Sequence, residues 1–189
     1  GGLRFYERQE IKHALAYLRL AVNPEDDNAL LRVINVPPRG IGARTIENLQ
    51  TASADQGISL WQAACNAGAK VTKITAFVHL IDNLRNQIGQ LSLPEIMAGI
   101  INDSGLVEYY RTQKGDHQDR LDNLDELINA TVAFKPEESN FEILPEHAAD
   151  DPAFPVLAFL SNAALESGEN QAGEGEDAIQ LMTVHASKG

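Results

Sequence analysis

The sequence predicts an all-α fold, an irregular helical domain with one short strand-like run near its last residues. Three observations predict it. Apolar residues recur every three to four positions in segment after segment between residues 5 and 166, the spacing of helices lying on a core. Two segments open as capping boxes, Ser59-Leu60-Trp61-Gln62 and Ser92-Leu93-Pro94-Glu95. Only residues 178–184, with Ile179, Leu181, Met182 and Val184, read as a buried strand. A strand needs neighbours to satisfy its backbone, so this lone one is expected to belong to a longer protein. The start at Gly1-Gly2 without methionine and the end directly after that run suggest the same.

Taken in order, residues 5–20 form the first predicted helix. Ile11, Leu15 and Leu18 share one face, and Glu7, Arg8, Lys12 and Arg19 share the other. Asn23-Pro24 breaks it, and Asp26 or Asp27 caps a helix over 28–36 whose apolar face is Leu30, Leu31, Val33 and Ile34. Pro37-Pro38 stops that helix. The next runs over 43–54, with Ile46 and Leu49 inward and Gly57 as its stop. The first capping box starts a short helix to about residue 66. Residues 71–88 are the longest amphipath, carrying Val71, Ile74, Phe77, Val78, Ile81, Leu84 and Ile88. The second capping box starts a helix ending at Asp103-Ser104-Gly105. Helices over 106–113 and 118–134 follow, separated by the turn Lys114-Gly115-Asp116, and the longer one buries Leu121, Leu124, Leu127, Ile128 and Val132. Residues 136–155 read as an acidic loop, 156–166 as a last helix, and 167–177 as a Gly- and Glu-rich linker.

With 189 residues and 43% apolar composition, the chain has the means for a packed core. No apolar run approaches the roughly 20 residues that span a bilayer, so no membrane partner is expected. The single cysteine, Cys65, excludes an internal disulfide and fits a reducing cytoplasm; beside Trp61 it reads as a core thiol. The net charge of −12 argues against nucleic acid until its distribution is considered. Residues 136–177 hold eleven acidic residues and no Lys or Arg, while the remainder holds 16 acidic against 15 basic residues. The acidity belongs to one late segment.

Pro37-Pro38-Arg39-Gly40-Ile41-Gly42-Ala43-Arg44-Thr45 lies between two predicted helices. Glycine permits a tight turn and close approach of a phosphate, and the second helix starts with unpaired N–H groups and a positive dipole end. Ile41 is expected to plug into the core. Arg39, Gly40, Gly42, Arg44 and Thr45 then form a cradle for a nucleic-acid phosphate, which reads backbone and not bases. A plain turn between two helices is the alternative. Lys114 and Gly115 form a second candidate turn, against the alternative of a solvated one. None of the five histidines has a partner at zinc-site spacing, no nucleophilic triad is suggested, and no Gly-Lys-Ser/Thr of a Walker loop occurs. His79 reads as a helix-flank residue, and the acidic pairs read as a solvated charge run.

The two ends carry the sharpest signal. Residues 1–20, beginning Gly1-Gly2-Leu3-Arg4-Phe5-Tyr6-Glu7-Arg8-Gln9-Glu10, closely resemble the segment that leaves the second motor domain of UvrD/Rep/PcrA-type superfamily-one DNA helicases. Gln180-Leu181-Met182-Thr183-Val184-His185-Ala186-Ser187-Lys188-Gly189 resembles the start of that family's motif V, where the chain returns to the motor. Between such segments the family inserts domain 2B, which is helical and carries a helix–hairpin–helix Gly-Ile-Gly loop that residues 38–45 resemble. Ile101-Asn102-Asp103-Ser104-Gly105-Leu106 and residues 120–127 are also similar to the family.

The resemblance implies an ATP-dependent 3′–5′ DNA helicase as parent, acting in repair or replication restart. It divides the chain into residues 1–22 leaving motor domain 2A, residues 23–173 as domain 2B, and residues 174–189 as linker and return strand of the RecA-like motor 2A. The swivel points fall near 21–24 and 173–178. The implied partners are duplex DNA at the 2B loop, single-stranded DNA near Thr183, His185 and Lys188, and the protein's own motor domains 1A and 2A. ATP and Mg2+ are implied for the parent; no cofactor or metal is expected in this chain, and no residue of it is expected to be catalytic. A second reading makes the same region a protein-interaction or autoinhibitory module, with the acidic loop 136–151 as docking site.

Overall fold

The computed structural model describes residues 2–115, 117–139 and 148–167. Ten α-helices account for most of them: α1 (Gly2–Glu7), α2 (Gln9–Val22), α3 (Asp27–Val33), α4 (Ala43–Gln56), α5 (Leu60–Gly68), α6 (Thr72–Gln87), α7 (Leu93–Asp103), α8 (Leu106–Arg111), α9 (His117–Ala133) and α10 (Phe154–Glu166). Single 3₁₀ turns occupy Pro136–Glu138 and Ala148–Asp150. No β-strand occurs among the described residues, in keeping with an all-α body. The strand expected at 178–184, the linker from 168 onward, and the middle of the acidic loop (140–147) lie outside the described residues.

The expected helix over 5–20 is two helices. Arg8 adopts extended backbone (φ −70°, ψ 143°) and separates α1 from α2. Glu7 and Arg8 of the expected charged face are exposed and Lys12 and Arg19 half-buried, but α2 is more enclosed than an amphipath: ten of its fourteen residues are buried, including Glu10 and His13. Ala14, Ala16 and Ala21 let neighbouring helices approach on several sides, and α2 packs against α1, α3, α6, α7, α9 and α10. One core cluster runs from Tyr6 through α2 to Ala163, with Tyr17, Phe77, Tyr110 and Phe159 among its largest buried side chains.

Helix starts follow local chemistry. Asp26 caps α3, its Oδ1 accepting from Ala29 N–H at 3.0 Å. Ser92 and Glu95 complete a reciprocal capping box on α7, with Pro94 in the first turn. Ser59 caps α5 through Gln62 N–H at 3.1 Å, but the return half is missing because the Gln62 amide reaches Glu25 at 3.4 Å instead.

Four apolar positions differ from expectation. Leu31 is 36% exposed, Val71 precedes α6 as its N-cap at 37%, and Val132 is 65% exposed because α9 buries only Leu124, Leu127 and Thr131. Cys65 is exposed, since α5 turns Leu60, Trp61, Ala63 and Ala64 inward and puts position 65 on the far side.

Candidate nucleic-acid interface

Helix α3 ends at Val33, short of the expected 36, and the cause is the proline pair. Pro37 and Pro38 have no N–H to offer the carbonyls four residues back, those of Val33 and Ile34. Arg39 supplies the missing donors. Its Nη1 bonds Val33 O at 2.6 Å and Ile34 O at 2.7 Å. Its Nη2 bonds the Tyr17 hydroxyl at 2.6 Å and reaches Ser104 O at 3.5 Å. The guanidinium also lies 5.2 Å from the Phe77 ring centre. Arg39 was expected to face a phosphate; here its fork is turned inward, where it ties α2, α3, α6 and the α7–α8 turn together.

The rest of the loop is built on Asn35. Its Oδ1 accepts from Arg39 N–H at 2.9 Å and Ile41 N–H at 3.3 Å, curling the backbone around one side chain. Asn35 is not among the residues expected at the site; an Asn just ahead of Pro-Pro is its only local signal. Ile41 is plugged into the core at 1% exposure, as expected. Gly40 holds the left-handed region (φ +79°), which an L side chain enters only with strain.

Gly42 is different. Its backbone is ordinary (φ −79°, ψ 175°), and a Cβ there would meet nothing within 4 Å. It is the N-cap of α4 and offers no capping side chain. The amides of Ala43, Arg44 and Thr45 therefore open a fourteen-residue helix without partners inside it. Arg44 is exposed and Thr45 half-buried beside them. Gly40, Ile41, Gly42, Arg44 and Thr45 are thus together in one short stretch.

Lys114 and Gly115 form a separate exposed turn before α9, where His117 N–H returns to Gly115 O at 2.8 Å. No hydrogen bond or ion pair joins this turn to the Gly-Ile-Gly loop among the described residues. Thr183, His185 and Lys188 lie outside the described residues.

Two titratable groups away from the loop show no sign of catalytic activation. Cys65 and His79 line one open groove of about 500 Å³ beside Lys70 and Thr75. Burial and the nearby Asp82 push the Cys65 thiol up, the opposite of an activated nucleophile. His13 is held down to about 4 by burial and by the charges of Arg32 and Arg120. Its Nε2 accepts from the Gln9 amide at 3.2 Å, leaving Nδ1–H to donate to the Tyr110 hydroxyl at 3.0 Å. It is a buried neutral histidine. No cluster of three metal-ligating side chains is assembled among the described residues.

A family model described as the UvrD-like helicase C-terminal domain matches residues 1–189. The chain belongs to the UvrD-like helicase family. It is 43% identical to DNA helicase II of Escherichia coli K12 and 41% identical to DNA helicase II of Haemophilus influenzae Rd, in each case over all of this chain and 26% of the relative. It is 36% identical to the ATP-dependent DNA helicase PcrA of Bacillus subtilis 168, over all of this chain and 26% of that protein. This member of the UvrD-like family thus spans about a quarter of the length of the curated relatives it matches.

Proposed function

We propose that this chain is the 2B region, with its flanking 2A segments, of an ATP-dependent 3′–5′ DNA helicase, and that its Gly-Ile-Gly loop grips the backbone of duplex DNA ahead of the fork. The observation that carries this reading is the start of α4. A Ser or Asp at the Gly42 position would cap the helix better, by about 1 kcal/mol or less over glycine. Instead the helix opens behind a glycine whose Cβ would meet nothing within 4 Å, with its first N–H groups lacking acceptors in the helix and with Arg44 and Thr45 in the first turn. That arrangement takes a phosphate. The grip is indifferent to sequence, as a helicase requires, and sensitive to salt. The net charge of −12 and the small number of phosphates make it weak for this region alone.

No Gly-Lys-Ser/Thr occurs in the sequence, and no group of three metal-ligating side chains occurs among the described residues. Nucleotide chemistry belongs to the motor of the longer protein. This region's residues hold the duplex while that motor pulls one strand. By the family resemblance, Thr183, His185 and Lys188 face the single strand on the motor side. By the same resemblance, the junction with motor domain 2A on the N-terminal side lies near residues 21–24.

The test is Gly42→Leu in the full-length protein. The backbone accepts a side chain there, so the fold is kept while the approach is blocked. Affinity for a duplex with a 3′ tail should fall about tenfold, equivalent to roughly 1.4 kcal/mol, with affinity for the tail alone unchanged. Equal binding of both DNAs by variant and wild type overturns the reading.

A further inference from the structure

We infer that Lys73, on the first turn of α6, is a further phosphate-contacting residue at the Gly-Ile-Gly loop; the inference rests on the duplex-gripping reading above. Lys73 is thirty-three residues from Gly40 in sequence, and nothing in its local pattern sets it apart from other surface lysines. The fold brings it to the loop. A Cβ built on Gly40 would lie 2.6 Å from Lys73 Nζ and 3.0 Å from its Cδ and Cε, so the side chain is laid across the face of that glycine. Packing of Phe77, one turn along α6, beneath the Arg39 guanidinium holds α6 at this distance.

Charge gives the placement its meaning. Lys73 is exposed and makes no ion pair or hydrogen bond among the described residues. An ammonium drawn to the loop for its own sake would be expected on a carboxylate or a carbonyl, and it has neither. It stands instead beside Gly40, three residues before the first open amide of α4, with the Arg44 charge following. A phosphate held by those amides therefore has cations from two different helices, Arg44 from α4 and Lys73 from α6. The second fixes which side of the loop the backbone passes. The apolar stem covering Gly40 is the competing role, and a variant that keeps the stem without the charge separates the two.

The experiment compares Lys73→Met, Lys73→Arg and Gly42→Leu in the full-length protein, each titrated with a 3′-tailed duplex and with the tail alone from 50 to 200 mM salt. Lys73→Met should weaken tailed-duplex binding about fivefold, lower the salt slope by about 0.9, and leave the tail alone unaffected. Lys73→Arg should restore both. If Lys73→Met matches wild type while Gly42→Leu weakens duplex binding, this inference is wrong and the loop reading stands. If Gly42→Leu also matches wild type, the loop reading falls and takes this one with it. Equal loss on duplex and tail places Lys73 elsewhere on the DNA path and overturns the assignment.

Discussion

Arg39 Nη2 donates to the Tyr17 hydroxyl at 2.6 Å, linking the Gly-Ile-Gly loop to the most buried helix of the protein. Tyr17 is fully buried, and its own proton is directed to Val36 O on the far side of the same turn. Burial raises the Tyr17 pKa while the Arg39 charge opposes the rise, so the phenol stays protonated.

Arg39→Ala should therefore act on stability before it acts on DNA. It removes the fork from the Tyr17 hydroxyl and from the Val33 and Ile34 carbonyls, leaving Val33 O with the Val36 N–H at 3.0 Å and taking from Ile34 O the donor that replaces the missing Pro38 N–H. The expected loss is about 2–4 kcal/mol in urea unfolding of the 189-residue chain. Arg39→Lys should recover only part of it, because an ammonium cannot fork to two carbonyls and a hydroxyl at once. A loss under 0.5 kcal/mol for Arg39→Ala would show that the clamp adds nothing.

The two loop glycines should separate in the same assay. Gly40→Ala forces φ +79° on an L residue and pushes the end of Lys73 aside, costing about 1–2 kcal/mol. Gly42→Ala meets open space at an ordinary φ and should stay within about 0.5 kcal/mol of wild type. Equal costs at both positions would contradict the backbone geometry described.

His13 gives a pH signature. Its pKa is about 4 when folded against 6.5 ordinarily, so between those values the unfolded chain binds the extra proton. Its contribution is intact above pH 6.5 and is lost as pH falls toward 4, by up to about 1.4 kcal/mol per pH unit. His13→Gln should remove that slope. Unfolding midpoints of the two proteins at pH 7.5, 6 and 5 should converge as the pH drops; parallel curves would mean that His13 titrates normally.

The capping boxes should also differ. Ser92→Ala and Glu95→Ala both break the reciprocal cap of α7, and each should cost about 1 kcal/mol. Ser59→Ala should cost a similar amount, but Gln62→Ala should be nearly silent, since the Gln62 side chain never returns to the cap. Thermal unfolding resolves the four variants.

Most element types were legible in the sequence because they rest on local chemistry. Asp26, Ser59 and Ser92 each cap the helix they precede, Pro37-Pro38 ends α3, and Ile41 enters the core between two glycines. The family was legible too, because residues 1–20 and 180–189 carry it in their order alone. What tertiary structure decided is whatever depends on which faces meet. Periodicity shows that α2 has an apolar face, but not that small residues on its other sides admit more helices and bury Glu10 and His13. The chain shows that Arg39 is charged and near glycines, but not that two missing N–H groups turn its fork inward, nor that Lys73 comes to lie over Gly40. Those outcomes are set by donors, acceptors and surfaces far apart in sequence, which only packing brings within reach.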